Sequence, residues 1–199
     1  MMLQVQKHIS VAIFGSGAGS NAEALIRFSR LETSYYKVVL ILTNKDQAGI
    51  YEVANRMHVP IEYLSDPKDS SKMSELLQKN NVQVIALAGY LRLLPADIVR
   101  HFEGRIINIH PSLLPEYGGH GMYGDKVHMA VFNDKKPYTG ITVHIVDEHF
   151  DTGSGLCQTK ISVKECNSVE KIAEKVRKVE HEVYPLMLNQ LCKTIYSQQ

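Results

Sequence analysis

The sequence predicts an α/β fold with a doubly wound, mostly parallel β-sheet flanked by helices, to which the C-terminal part adds antiparallel strands and a long final helix. Short, β-branched apolar runs alternate with segments of helical periodicity through the first half, a pattern typical of a parallel sheet. After residue 118 the pattern changes. Residues 141–146 alternate along the chain and residues 156–163 do so less regularly, which indicates later strands antiparallel to the rest.

Individual elements follow from the same periodicities. The predicted strands cover residues 9–14, 38–43, 61–63, 82–88 and 105–110, and the predicted helices cover residues 22–30, 50–57, 71–79, 96–102 and 126–133. The last helix begins after Ser168, which can cap it, and Val169, Ile172 and Val176 start its apolar face. Pro185 is expected to kink or interrupt this helix, because proline lacks the amide hydrogen that the helix needs.

Composition limits the class of protein. The 199 residues fit one domain, and 22 basic against 21 acidic residues leave no charge excess for nucleic acid or an anionic membrane. No apolar run approaches the ~20 residues of a membrane helix, and residues 1–7 lack the pattern of a signal peptide. Cys157, Cys166 and Cys192 form no CxxC pair, so we expect reduced thiols and a cytoplasmic protein.

A glycine-rich turn follows the first predicted strand. Gly15, Gly17 and Gly19 lead through Ser20 and Asn21 into the predicted helix at residues 22–30, the arrangement of a Rossmann-like anion site. We expect the helix N-terminus to bind a phosphate, with Ser20 and Asn21 capping the helix or bonding phosphate oxygens. Serine stands where GxGxxG needs its third glycine, and GK[ST] is absent, so neither the dinucleotide fingerprint nor a P-loop is present. A tight turn that only permits packing is the alternative.

Asn108 and His110 are two residues apart on a predicted strand, so both side chains project from one face at its carboxyl end. An amide and a protonated imidazole suit acyl transfer, because both can stabilise an oxyanion and the imidazole can deliver a proton. Asp151, in a glycine-flanked turn, is the candidate carboxylate, and we expect it to raise the pKa of His110. The alternatives are a structural histidine at a strand end and a plain turn-forming aspartate.

The run NIHPSLLP at residues 108–115 resembles the signature of folate-dependent formyltransferases, and the resemblance extends over residues 8–195. It includes the GAGSN loop at residues 17–21, AGYLR at residues 88–92 and EHEVYP at residues 180–185. Within that superfamily the first and last of these segments most resemble the branch that acts on glycinamide ribonucleotide.

This resemblance implies a single formyltransferase domain over residues 1–199, with a phosphate-binding half at 1–105 and a catalytic and folate-binding half at 106–199. It implies transfer of the formyl group of 10-formyltetrahydrofolate, as co-substrate, to the amine of 5'-phosphoribosylglycinamide without a metal. Asn108, His110 and Asp151 match the family's catalytic residues. The implied partners are these small molecules, with no nucleic acid or membrane, and the protein is expected to be a monomer or homodimer.

Binding residues are implied in the same way. Gly19, Ser20 and Asn21 match the phosphate loop, and Glu180 matches a carboxylate that binds the ribonucleotide. The expected folate-binding residues are Leu91, Arg92, Leu93, Leu94 and Asn108, with the loop at residues 147–151 closing over the pterin. A cis bond is expected between Leu114 and Pro115.

The sequence departs from the family pattern at two places. Residues 118–124 lack the Pro-Gly segment of many members, so His120 is assigned no role. Residues 66–72 align poorly, and Lys68 is the only candidate there for a basic folate contact.

Three other functions fit part of the pattern. Formyltetrahydrofolate hydrolase and methionyl-tRNA formyltransferase share the Asn-x-His-Pro-Ser run, but the first is expected to carry an extra N-terminal domain and the second a C-terminal one. A non-catalytic nucleotide-binding module explains the glycine loop alone. The cluster Asp147, Glu148, His149 and Asp151 suggests a metal site, but no HExxH or Cys-rich spacing accompanies it, which favours a solvated acidic loop.

Overall fold

The computed structural model describes residues 8–198, so the expectation about residues 1–7 lies outside the described residues. The strands are β1 (Ile9–Phe14), β2 (Tyr36–Thr43), β3 (Ile61–Tyr63), β4 (Val84–Leu87), β5 (Ile106–His110), β6 (Tyr138–Ile145) and β7 (Gly155–Ser162). The helices are α1 (Ser20–Phe28), α2 (Ile50–Arg56), α3 (Ser70–Lys79), α4 (Ala96–His101), α5 (Asp125–Asn133) and α6 (Val169–Tyr196). Among these helices none is long and apolar enough to span a membrane.

All the strands pair in one sheet, and the predicted fold class is confirmed. The order is β3-β2-β1-β4-β5-β6-β7, with β1 to β5 mutually parallel and β6 and β7 antiparallel to their neighbours. The chain order reverses between β1 and β4. In open sheets of this kind, ligands bind in the crevice at such a reversal, beyond the carboxyl ends of the strands.

The core lies on both faces of the sheet because side chains alternate along each strand. In β1, Val11 and Ile13 pack with α1, α2 and α6, whereas Ala12 and Phe14 pack with α3 and α4 on the opposite face. A strand covered on both faces has a continuous run of apolar residues in its sequence. The predicted strand at residues 9–14 therefore has the same bounds as β1. The sheet is therefore a rigid frame between two helical layers.

The turn after β1 differs from the expected capping arrangement. Gly19 occupies the N-cap position of α1 with a left-handed φ of 81°, and no side chain caps this helix. Ser20 is the first helical residue, so of its two predicted roles capping is wrong and the phosphate contact stays a prediction. A Cβ at position 19 would lie 3.0 Å from the Ile50 Cα, so glycine is needed for both backbone angle and space. The amide groups of the first helical turn are left for solvent or a ligand.

Helix α6 continues through Pro185, so the expected interruption is wrong. Packing on both sides of the proline explains the continuity. Tyr184 is fully buried, and Leu188 and Cys192 are buried after it. The Tyr184 hydroxyl donates to the carbonyl oxygens of Leu87 and Ile107, at 2.8 and 3.0 Å. These contacts fix the helix against the carboxyl-end region of β4 and against β5, and they offset the cost of one missing hydrogen bond.

Replacement of Tyr184 by phenylalanine tests this contact. Tyr184→Phe removes a donor shared by two buried carbonyls, and we expect the free energy of unfolding to fall by about 2 kcal/mol. Urea unfolding followed by circular dichroism measures the change. Tyr63→Phe, at a side chain that is 49% exposed, is the matched control and should leave the midpoint unchanged. Equal midpoints for both variants would contradict the bridging role of Tyr184.

Candidate active site

A cleft of about 690 Å³ opens beyond the carboxyl ends of the parallel strands. Its wall includes Ser16 after β1, Asn44 after β2, Gly89 after β4 and His110 at the end of β5. The loops at residues 119–126 and 146–151 complete the wall from the C-terminal half. The cleft thus lies where the reversal of strand order predicts a ligand site.

The two predicted residues His110 and Asp151 meet at the floor of this cleft. His110 Nδ1 lies 3.5 Å from Asp151 Oδ2, and the two side chains are 5% and 11% exposed. The other ring nitrogen, Nε2, is 2.8 Å from the Tyr117 carbonyl oxygen, which can only accept, so Nε2 carries a proton. Asp151 Oδ2 also accepts the backbone N–H of Gly119 at 2.9 Å. The Tyr117 carbonyl therefore orients the ring through Nε2, and Nδ1 faces a carboxylate that binds it when the ring is protonated.

Asn108 joins this group through His144, a residue that the sequence analysis assigned no role. The antiparallel register of β5 and β6 places Asn108 directly opposite His144. The Asn108 amide nitrogen lies 3.1 Å from His144 Nε2, while His144 Nδ1 donates to the Ile145 carbonyl at 2.9 Å. When Nε2 carries no proton it accepts one hydrogen of this amide, which keeps its second hydrogen for a ligand, and when Nε2 is protonated it can donate to Asp151 instead.

Asp151 lies between two histidines. Its Oδ1 is 3.6 Å from His144 Nε2, on the opposite oxygen from the one that faces His110. Burial pushes the pKa of Asp151 upward, but His144, the His110 charge and the Gly119 amide together hold it below its ordinary value. The carboxylate is therefore ionised at neutral pH and can stabilise an imidazolium beside it.

Asp151 raises the pKa of His110, as expected, but the net shift of this pKa is downward. Burial lowers the pKa of His110, and although Asp151 and the Tyr117 carbonyl raise it, the pKa stays below its ordinary value. His144 adds a smaller unfavourable interaction with the protonated ring. Sequence reasoning identified the partner carboxylate and overlooked the desolvation of a side chain that is only 4% exposed.

One wall of the cleft carries part of the predicted ribonucleotide site. Asn21 Nδ2 donates to Glu180 Oε2 at 3.0 Å, which joins the start of α1 to the middle of α6. Burial raises the pKa of Glu180, against the opposing effects of Asn21 and Arg177. Of the predicted loop residues only Asn21 lines the cleft. Gly19 is at the N-cap, and Ser20 lines a separate pocket between α1 and α6.

The predicted folate segment forms another part of the wall. Leu91 and Leu93 are 46% and 45% exposed, whereas Leu94 is buried. Apolar side chains left this open beside a cleft provide a surface for a flat, largely apolar ring. Arg92, which lies between these two leucines in the sequence, is also exposed and lines the cleft. Lys68 is not among the lining residues of the cleft.

The two loops over the cleft contact each other. The rings of His120 and Phe150 lie 5.6 Å apart, and the Gly119–Asp151 hydrogen bond connects the same segments. Leu114–Pro115 is a cis peptide bond, as the resemblance implied.

The acidic side chains of residues 147–151 have hydrogen-bond and ion-pair partners within the protein. Asp147 Oδ1 accepts from the His149 amide and the Thr152 hydroxyl at 2.9 and 2.8 Å, and Glu148 pairs with Arg100 at 3.1 Å. Across residues 8–198, no three His, Cys, Asp or Glu side chains group as metal ligands.

Residues 9–188 match the family model described as formyl transferase. A chloroplastic phosphoribosylglycinamide formyltransferase of Vigna unguiculata is 38% identical over 92% of this chain, which spans 61% of that relative's length. This chain spans 65% of the length of the chloroplastic phosphoribosylglycinamide formyltransferase of Arabidopsis thaliana. The phosphoribosylglycinamide formyltransferase of Bacillus subtilis (strain 168) is 36% identical over 90% of this chain and 93% of its own length.

A solved structure has a similar fold. The crystal structure of phosphoribosylglycinamide formyltransferase from Bacillus halodurans is 34% identical and superposes with a TM-score of 0.83, covering 92% of this chain and 94% of that one. The fold, the cleft at the strand ends and a family match over most of the sequence agree. The chain belongs to the formyl transferase family.

Proposed function

We propose that the protein transfers the formyl group of 10-formyltetrahydrofolate to the amine of 5'-phosphoribosylglycinamide, a step of purine biosynthesis. The observation that carries the proposal is the convergence of Asn108, His110 and Asp151, from distant parts of the sequence, at the floor of one cleft. The relatives named phosphoribosylglycinamide formyltransferase support the choice of acceptor.

In the proposed arrangement the two substrates occupy different parts of the cleft. Asn21 and Glu180 line the wall assigned to the ribonucleotide, near the open amides at the start of α1. Leu91 and Leu93 line the wall assigned to the folate. Asn108 and His110 lie in the lining of the same cleft, where a formyl carbon would meet an amine. Holding two reactants in register supplies a large part of the rate of such a reaction.

The chemistry proposed is direct attack by the neutral amine on the formyl carbon. A new C–N bond forms, and the carbonyl oxygen becomes an oxyanion. The free N–H of the Asn108 amide and the Nε2–H of His110 stabilise this charge. In the free protein that Nε2–H donates to Tyr117, and an oxyanion is the stronger acceptor, so the developing charge favours the exchange. The bond from carbon to the folate N10 then breaks, and the proton lost by the attacking amine ends on N10, with a water assisting the transfer.

Asp151 acts through His110 in this mechanism. Its carboxylate, ionised and only 11% exposed, stabilises the imidazolium form of a ring that burial otherwise keeps neutral. The positive charge on His110 is therefore most stable when the oxyanion is also present. Because the oxyanion forms only during the reaction, His110 stabilises the transition state more than the bound substrates. Asp151 is a positioning residue and does not itself touch the formyl group.

The first test measures 10-formyltetrahydrofolate consumption by absorbance, with and without phosphoribosylglycinamide. We expect consumption to require the acceptor and one formylated product to appear per folate consumed. Consumption at the same rate without the acceptor would instead assign the protein as a formyltetrahydrofolate hydrolase. Nucleotide binding without turnover in either mixture would assign a non-catalytic module.

The second test removes the groups proposed to stabilise the oxyanion. Asn108→Ala and His110→Ala should each lower kcat by ~10²-fold or more, because each deletes one donor. His101→Ala and Asn133→Ala, at exposed positions outside the cleft lining, are the matched controls and should retain normal turnover. Steady-state kinetics and circular dichroism on all four variants separate lost chemistry from lost folding. Near-normal kcat in both cleft variants would reject the mechanism.

The third test concerns the charge that Asp151 provides. Because Asp151 raises the pKa of His110 against the effect of burial, Asp151→Asn should lower that pKa further. When the pH is raised, activity that needs the protonated ring should therefore disappear at a lower pH in the variant than in the unmodified protein. An NMR titration of the His110 ring proton measures the shift directly. A His110 pKa that is unchanged or higher in the variant would contradict the assigned role.

A further inference from the structure

His128, on α5, is a buried histidine that the proposed mechanism does not use. Its side chain lines the cleft although the residue is only 6% exposed. Its Nδ1 is fully buried and has no hydrogen-bond partner among residues 8–198. Buried polar atoms are nearly always paired, so an unpaired one that borders a ligand cleft calls for an explanation.

The surroundings of His128 favour an uncharged ring. Burial lowers the pKa of His128, and Arg177 from α6 and His110 from β5 lower it further, while Asp125 on its own helix opposes them. At neutral pH the ring therefore has one nitrogen that donates and one that accepts. Such a ring is suited to a hydroxyl or a carboxamide. The charge needed for a phosphate is already available nearby from Arg177, which lines the same cleft.

A second unpaired atom lies in the lining of the same cleft. Asn21 Oδ1 is buried without a partner among the described residues, while the nitrogen of the same amide is held by Glu180. His128, Asn21, Arg177 and Glu180 all belong to the lining of the cleft. Two residues of one cleft lining thus each carry a buried polar atom that a ligand can pair with after a small movement of the side chain.

We propose that His128 binds the acceptor substrate, through a hydrogen bond from its neutral imidazole to an uncharged hydroxyl or carboxamide group of the phosphorylated acceptor. The inference rests on the proposed function and adds a specificity-determining residue to it. His128 contributes to binding of the acceptor substrate and not to binding of the folate. His128 lines the same cleft as Arg177, which supplies charge for a phosphate, and as His110 at the proposed reaction centre.

The test compares His128→Leu, which has similar bulk and no ring nitrogen, with His128→Asn, whose amide can replace Nδ1. Loss of one neutral hydrogen bond should raise the KM for the acceptor by roughly 10-fold in the leucine variant, and the asparagine variant should recover much of it. The KM for 10-formyltetrahydrofolate should stay unchanged in both. Met129→Leu, at a 52% exposed position on the same helix, is the control.

A structural role for His128 gives different results. Since Nδ1 has no hydrogen-bond partner among residues 8–198, the leucine variant should melt no lower than the unmodified protein. A lower Tm with both KM values raised equally would overturn the proposal, as would an unchanged acceptor KM. If the leucine variant does not fold, the asparagine variant still tests the inference, since its acceptor KM should rise less than 10-fold without change in the folate KM.

A binding measurement separates this inference from the proposed function. In the unmodified protein with ¹⁵N-labelled histidine, addition of phosphoribosylglycinamide should shift the His128 ring nitrogens, and addition of a folate analogue should not. Ribose 5-phosphate, used as a probe, distinguishes a ribose hydroxyl from the carboxamide as the partner. An absence of turnover with this shift present would reject the proposed reaction alone. Turnover with no shift at His128 would reject the inference alone.

Discussion

The contact of the Asp151 carboxylate with the His110 imidazole is the interaction on which the proposed chemistry depends. The carboxylate lies 3.5 Å from His110 and 3.6 Å from His144, and it also accepts the Gly119 amide. A single side chain therefore joins two strands and the loop over the cleft. Without an ionised group at this position, only the Tyr117 carbonyl would oppose the effect of burial on the protonated imidazole.

Local backbone geometry keeps Asp151 in place. Asp151 has a positive φ of 57°, which short polar residues such as aspartate adopt more readily than most. Two residues later, a Cβ on Gly153 would lie 1.8 Å from the Ile145 carbonyl oxygen, so only glycine fits there. The connection between β6 and β7 is thus packed against the end of β6. This close approach sets the direction in which the carboxylate leaves the turn.

The sequence was sufficient to predict the fold class, most elements and the grouping of Asn108 with His110. All of these follow from apolar periodicity and from the alternation of side chains along a strand. It was not sufficient for His144, because the register between β5 and β6 depends on contacts that are remote in sequence. The signal was nonetheless present, since His144 lies in an alternating run directly before the acidic loop. The pKa of His110 and the continuity of α6 at Pro185 depend on burial, which a local pattern does not report.

A crystal structure of the protein with phosphoribosylglycinamide and a non-transferring, tetrahedral analogue of the formyl folate tests the central claim most directly. The account predicts the analogue's oxyanion within hydrogen-bonding distance of both the Asn108 amide nitrogen and His110 Nε2, with Asp151 still facing His110 Nδ1. An Asp151 carboxylate turned into solvent, with the oxyanion bound by other groups, would contradict it.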